Sequence, residues 1–470
     1  MRDYDEGGTG RGEFSVKTPI ADFVRRYAAA TPVRLHMPGH KGKGPLGCEQ
    51  WDITEIPGTD ALYEYEADGI IAQSEKNAAA LFGAAGTFYS TEGSSHCIRA
   101  MLTLAVWNFV EKYPGVRPAV IAGRNIHKSF LYAAALLDFD IIWLWPEKPK
   151  SICACSISPE QLESAISALA YPAAAVYITS PDYLGGMSSL ERLAAVAHAA
   201  DIPFLVDNAH GAYLHFVSPA CHPLDVGADL CCDSAHKTLP VLTGGAWMHT
   251  GCSAPDSFLE NGNRALAMTG STSPSWLVLQ SLDLCNQLLA EEYPARLQKT
   301  AGELETLRQQ LRSAGWVVAD TDPLKLTIDC AASGWNGYSL DQRLRSDGIF
   351  CEYCDMDDLV CMFTPENSAE DFRRLKVVLG YNTLASRQRT ALPRSSSEGV
   401  LSVRDALWLP HETVSAALSV GRICGAPLVS CPPAIPVAVA GERITTEMQQ
   451  LFEIYKIKAV DVLKLPEDGI

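Results

Sequence analysis

Residues 203–237 read PFLVDNAHGAYLHFVSPACHPLDVGADLCCDSAHK, and two short apolar runs inside that stretch end in reactive side chains. The first, FLV, runs into Asp-Asn-Ala-His at 207–210, and the second, DLCC, runs into Asp-Ser-Ala-His-Lys at 233–237. Outward from this stretch, VIA (120–122), IIWLW (141–145) and AVYIT (175–179) are further runs of strand length and composition. Helical patterns at 159–170 and 188–200 lie between them, and CIRAMLTLAVWNFV (97–110) reads as a buried helix opened by Gly-Ser-Ser. Strand and helix thus alternate from about 75 to 250. Such a series implies an α/β fold built on a mostly parallel, doubly wound sheet.

A chain of 470 residues exceeds what one core usually holds, so a large and a small domain are expected. The large domain is read as 17–290, with a short helix from about Pro19 to Ala30 near its start. Residues 1–16 are polar and Gly-rich and read as disordered. The remainder, 291–470, reads as an α+β region: a helix over 291–314, strands at WVVAD (316–320) and KLTID (325–329), and a helix from Ser368. The Ser/Arg-rich stretch 385–399 reads as an exposed connection within it.

A net charge of -17, from 55 acidic against 38 basic residues, argues against nucleic acid and anionic membrane surfaces as partners. It suits a cationic small molecule, although many proteins are simply acidic. With no run of 18 apolar residues and no apolar leader, a cytoplasmic location is expected. The 15 cysteines fall mostly in apolar contexts and read as buried thiols. Cys351 and Cys354 form a CxxC with no second Cys or His pair at zinc spacing, so no metal is expected.

Ligands of open α/β sheets bind beyond the carboxyl ends of the strands. Four strand ends here are rich in reactive groups: DNAH (207–210), DSAHK (233–237), SPD (180–182) and GRNIHKS (123–129). An acid and a lysine on consecutive strand ends suit pyridoxal phosphate (PLP), which needs a Schiff-base lysine, an acid for its pyridine nitrogen and donors for its phosphate. Lys237 is the candidate lysine and Asp207 the candidate acid, the latter equally readable as a cap of the following turn. Gly93, Ser94 and Ser95 open the apolar helix and offer a phosphate cradle, or an ordinary N-cap.

The stretches HMPGHKG (36–42), DITEIPGTD (52–60), RNIHKS (124–129), VDNAHGAY (206–213), SAHKTLP (234–240) and STSPSW (271–276) together closely resemble the Orn/Lys/Arg decarboxylase family. The likeness is to its short form, without an N-terminal wing domain, firm over about 17–290 and looser beyond. It implies the fold type I of PLP-dependent enzymes, with a seven-stranded type of large-domain sheet. It also implies that Lys237 holds PLP, that Asp207 pairs with the pyridine nitrogen, and that His127 stacks on one ring face with Ala209 on the other. Ser94, Ser95, Ser234 and His236 then contact the phosphate, and His210 lies near the reacting carbon as an acid or orienting group. Ser271, Thr272 and Ser273 would reach the phosphate of a neighbouring chain, making the site shared in a homodimer or a higher homo-oligomer. Glu442, by the loosest part of the likeness, would bind the distal ammonium of the substrate. The chain departs from the family in DNAHGAY for DEAHGAH, PPAIP (432–436) for PPGIP, and AGE (440–442) for PGE.

The resemblance implies α-decarboxylation of arginine, lysine or ornithine to the amine, as in polyamine metabolism, with Lys237 or His210 returning the proton. Another reaction on the same cofactor, such as transamination, and a PLP-binding regulatory protein are the alternatives.

Overall fold

A computed structural model describes residues 16–54, 69–146, 150–381, 383–393, 399–426 and 435–464. Residues 1–15, 55–60 of DITEIPGTD, 394–398 of the expected connection and 432–434 of PPAIP lie outside them.

Seven strands form one sheet: β1 (Gly86–Ser90), β2 (Ala119–Gly123), β3 (Asp140–Leu144), β4 (Ala175–Thr179), β5 (Phe204–Asp207), β6 (Leu230–Asp233) and β7 (Ala246–Thr250). Their order is β1-β7-β6-β5-β4-β2-β3. Neighbours from β3 to β6 pair in parallel, whereas β7 runs antiparallel to both β6 and β1. Both faces are covered, as the alternation along each strand shows. Val120, Ala122, Tyr177, Leu205 and Cys232 enter one core, and Ile121, Val176, Ile178, Val206 and Cys231 enter another on the opposite face.

The first core holds the helix Ser94–Lys112, which is buried over most of its length and is apolar through its middle turns. On the second face lie Pro159–Ser167, started by a Ser158/Gln161 capping box with Pro at its first turn, and Leu190–Ala199. The N-terminal helix Pro19–Ala29 is tied down by Asp283 of the helix Trp276–Ala290. Asp283 Oδ2 accepts from Ile20 N (3.0 Å) and Ala21 N (2.9 Å), satisfying two helix-start donors.

After the helix Tyr293–Ser313, β8 (Lys325–Asp329), β9 (Tyr353–Cys354) and β10 (Asp358–Met362) form an antiparallel sheet in the order β8-β10-β9. The helix expected from Ser368 runs Ala369–Leu379 with Ser368 as its cap. WVVAD is not a strand: it meets β8 through the single bridge Val318–Ile328. Two further strands, β11 (His411–Ser415) and β12 (Ala459–Leu463), pair near the end. Cys351 Sγ of the CxxC lies 3.7 Å from Cys361 Sγ. No described helix is long and apolar enough to cross a membrane.

Candidate active site

Register places the reactive strand ends together. Thr179 of β4 is level with Asp207 of β5, and Asp207 with Cys232 of β6. Beyond these ends lies a cavity of about 320 Å³ lined by Gly93, Ser94, Ser95, His127, Asp207, Ala209, His210, Ser234, His236 and Lys237, all of them expected from the sequence.

At its centre, Lys237 Nζ lies 3.2 Å from His210 Nε2. Burial draws the Lys237 pKa down, while the charges of Asp207 and Glu352 pull it partly back. His210 is held well below the usual imidazole range, by burial first and then by the Lys237 charge, so it is neutral. Asp207 is fixed by Tyr177 Oη, which donates to its Oδ2 (3.2 Å), and by Ala209 N, which donates to its Oδ1 (3.2 Å). His127 caps its own helix, its Nδ1 accepting from Ser129 N (3.3 Å), and burial lowers its pKa.

The cradle is built by backbone. Gly93 has φ 76 and its N donates to Gly244 O at 2.7 Å, turning the chain into the helix at Ser94. Gly244 itself has φ 99, and a Cβ there would stand 2.6 Å from Thr91 O, so only glycine fits this closing contact. Ser234 Oγ donates to Ser94 Oγ (2.8 Å), joining the helix start to the residue after β6.

Three polar atoms on the lining are buried without a hydrogen-bond partner among the described residues: His210 Nδ1, Asn125 Nδ2 and Thr179 Oγ1. Buried polar groups are normally satisfied, so this cavity is built for a polar guest. A desolvated amine, a carboxylate across the cavity and an anion-binding helix start suit pyridoxal phosphate.

Asn125, Thr179, Tyr183, Ile435 and the supporting Tyr177 escaped the sequence reading. Thr179 and Asn125 sit at strand ends already singled out, so the strand-end rule could have found them. Ile435 belongs to PPAIP (432–436), a stretch already singled out as a departure from the family, although no site role was given to that residue.

Two expectations are not brought to this cavity within the chain. Glu442 is not on its lining: its Oε2 takes Arg124 Nη2 at 2.9 Å and Val439 N at 2.8 Å, and the pair is buried. Arg124 in turn stacks on Trp143 and Trp145. The ion pair engages Oε2 alone, and Glu442 Oε1 is buried without a hydrogen-bond partner among the described residues. Ser271, Thr272 and Ser273 are exposed at the rim, where Ser271 N donates to Glu92 Oε1 at 2.6 Å.

The sequence model of the Orn/Lys/Arg decarboxylase major domain matches residues 18–327. The chain belongs to this family. It is 30% identical over 467 residues to an arginine decarboxylase of Bacillus subtilis, covering 92% of each chain. Solved structures with the same fold include the Francisella novicida lysine decarboxylase, with TM-score 0.78, 16% identity, and 96% of this chain and 81% of that one covered. The Escherichia coli constitutive lysine decarboxylase gives TM-score 0.73, 18% identity, and 96% and 82% coverage. The fold is therefore that of the type I PLP-dependent enzymes, and the chain is an amino acid decarboxylase of this family.

Proposed function

We propose that the protein decarboxylates a basic amino acid, arginine, lysine or ornithine, to the corresponding amine, with pyridoxal phosphate held at Lys237. The observation that carries this reading is the Lys237–His210 pair facing Asp207 across one cavity, in a chain of this family. Bound there, pyridoxal phosphate supplies an aldehyde for amine exchange and a ring that takes up the electrons of a broken Cα–carboxylate bond.

The chain's own residues do the rest. Lys237 gives the amine that anchors the group and, with its pKa lowered by burial, sheds a proton more readily than a solvated lysine. Asp207, held by Tyr177 and Ala209 N, keeps a proton on the ring nitrogen. His127 and Ala209 would bound the ring, and Ser94, Ser95, Ser234 and His236, on the cavity lining at the helix start, would hold the phosphate. His210 Nε2, neutral and 3.2 Å from Lys237 Nζ, is placed to pass a proton to or from that amine.

A second chain completes the site in this reading. Val33, Leu35, Met37 and Leu46 are 85%, 90%, 66% and 80% exposed, an apolar segment that a homodimer would cover. Thr272 and Ser273 would then reach a neighbouring phosphate.

Arginine is the first substrate to offer, because the Bacillus subtilis relative is an arginine decarboxylase, followed by lysine and ornithine. PLP-loaded protein is expected to release CO2 and one matching amine, without keto acid. Keto acid in step with a new amino acid would instead establish transamination, and no turnover of any of the three would contradict the reading.

A further inference from the structure

Behind the cavity, on the other face of the sheet, lies a polar cluster closed off from water. Alternation along β5 and β6 turns Asn208 and Asp233 away from the face that carries Asp207 and Cys232. Asn208, Asp233, His222 and His249 are all 0% exposed. Asn208 Nδ2 donates to Asp233 Oδ1 at 2.6 Å. His222 Nε2 lies 3.0 Å from Asp233 Oδ2, and His249 Nε2 lies 3.3 Å from the same oxygen.

Leu224 N donates to His222 Nδ1 at 3.3 Å, so the His222 proton sits on Nε2 and is given to Asp233. Burial alone would raise the Asp233 carboxyl, but the imidazoles facing it outweigh that and hold it well below the usual carboxylate range. The cluster is thus an ionised aspartate that accepts from Asn208 and His222, with His249 Nε2 close by but not hydrogen-bonded to it. With Cys231, His222 and Asp233 also gather as metal ligands do. Metal at His222 Nε2 would require the proton on Nδ1, where the Leu224 N–H already points, so the geometry favours hydrogen bonding.

An apolar core would fill this space at less cost than a buried carboxylate. What the carboxylate adds is location. Asn208 N also donates to Cys232 O at 3.0 Å, so backbone and side-chain bonds together lock β5 to β6 where the two chains leave the sheet. Asp207 precedes one locked residue, and Ser234 and Lys237 follow the other.

We propose that Asp233 and Asn208 are positioning residues, a staple behind the sheet that fixes the spacing between Asp207 and Lys237. The inference rests on the reading of those two residues as cofactor ligands.

The test uses PLP-loaded wild type, Asn208→Ala, Asp233→Asn and the double variant, measuring circular dichroism of the bound cofactor alongside turnover of the preferred basic amino acid. Both single variants are expected to bind PLP, to show an altered cofactor dichroic band, and to lose about tenfold to a hundredfold in kcat with KM nearly unchanged. The double variant should be no slower than the poorer single, because both residues act through one bond. If Asp233→Asn does not fold, Asn208→Ala decides alone.

A folded Asn208→Ala with wild-type dichroism and kcat would overturn the staple, as would losses that multiply in the double variant. One equivalent of tightly bound metal in the wild type, lost in Asp233→Asn, would also overturn it in favour of a metal site. A wild type without decarboxylase activity would count against the proposed function, while the dichroic comparison would still judge the staple.

Discussion

Asp207 shows how much one carboxylate depends on its supports. Tyr177 Oη and Ala209 N hold its two oxygens, so its orientation is set before any ligand arrives. Asp207→Asn keeps shape and hydrogen-bonding reach but removes the charge that would stabilise a protonated ring nitrogen. The variant is expected to retain PLP while kcat falls by about a hundredfold or more, on the scale of losing one key electrostatic partner. Turnover within a few-fold of wild type, measured at saturating PLP, would reduce Asp207 to a turn cap. At this scale the sequence was informative because Asp207, His210 and Lys237 follow apolar runs directly. Glu442, whose only cue is a loose likeness, stands off the cavity lining within the chain, and nothing local in the sequence announces that Arg124, far away in sequence, pairs with its Oε2.

At the scale of elements, legibility followed burial pattern. The central strands β4, β5 and β6 read clearly because each is a short apolar run ending in polar residues at the same sheet edge. The edge strand β1 and its neighbour β7, GTFYS and AWMHT, went unread: five residues each, with Gly, Ser, His and Thr diluting the apolar signal, they are buried between helices, β7 pairing with both β1 and β6. WVVAD read as a strand from its valines, yet only Val318 bridges to β8. Helices were read to within a few residues at most ends, because their caps are explicit: Ser158 with Gln161 at one, Ser368 with Asp371 at another. The Asn208–Asp233 staple was unreadable, since it depends on register between strands rather than on spacing along one.

The whole molecule raises the question of what one chain lacks. Its cavity is lined by every residue expected at the cofactor except Ser271, Thr272 and Ser273, which stand exposed at the rim beside Glu92. If a neighbour's Thr272 and Ser273 complete each phosphate site, mixing Lys237→Ala chains with Thr272→Ala/Ser273→Ala chains will produce hybrid dimers in which one site collects both defects and the other neither. Activity recovered on mixing, up to about half of wild type per hybrid dimer, is the expected result. Verified hybrids that stay as slow as their parents would mean that each chain builds its own site.

The central claim is that Lys237 is the residue that carries the cofactor, and borohydride reduction of PLP-loaded protein followed by proteolysis and mass spectrometry tests it directly. One pyridoxyl group per chain should be found, on the peptide containing Ser234-Ala235-His236-Lys237, and Lys237→Ala should carry none. A stoichiometric adduct on any other lysine, with Lys237 unmodified, would contradict the account.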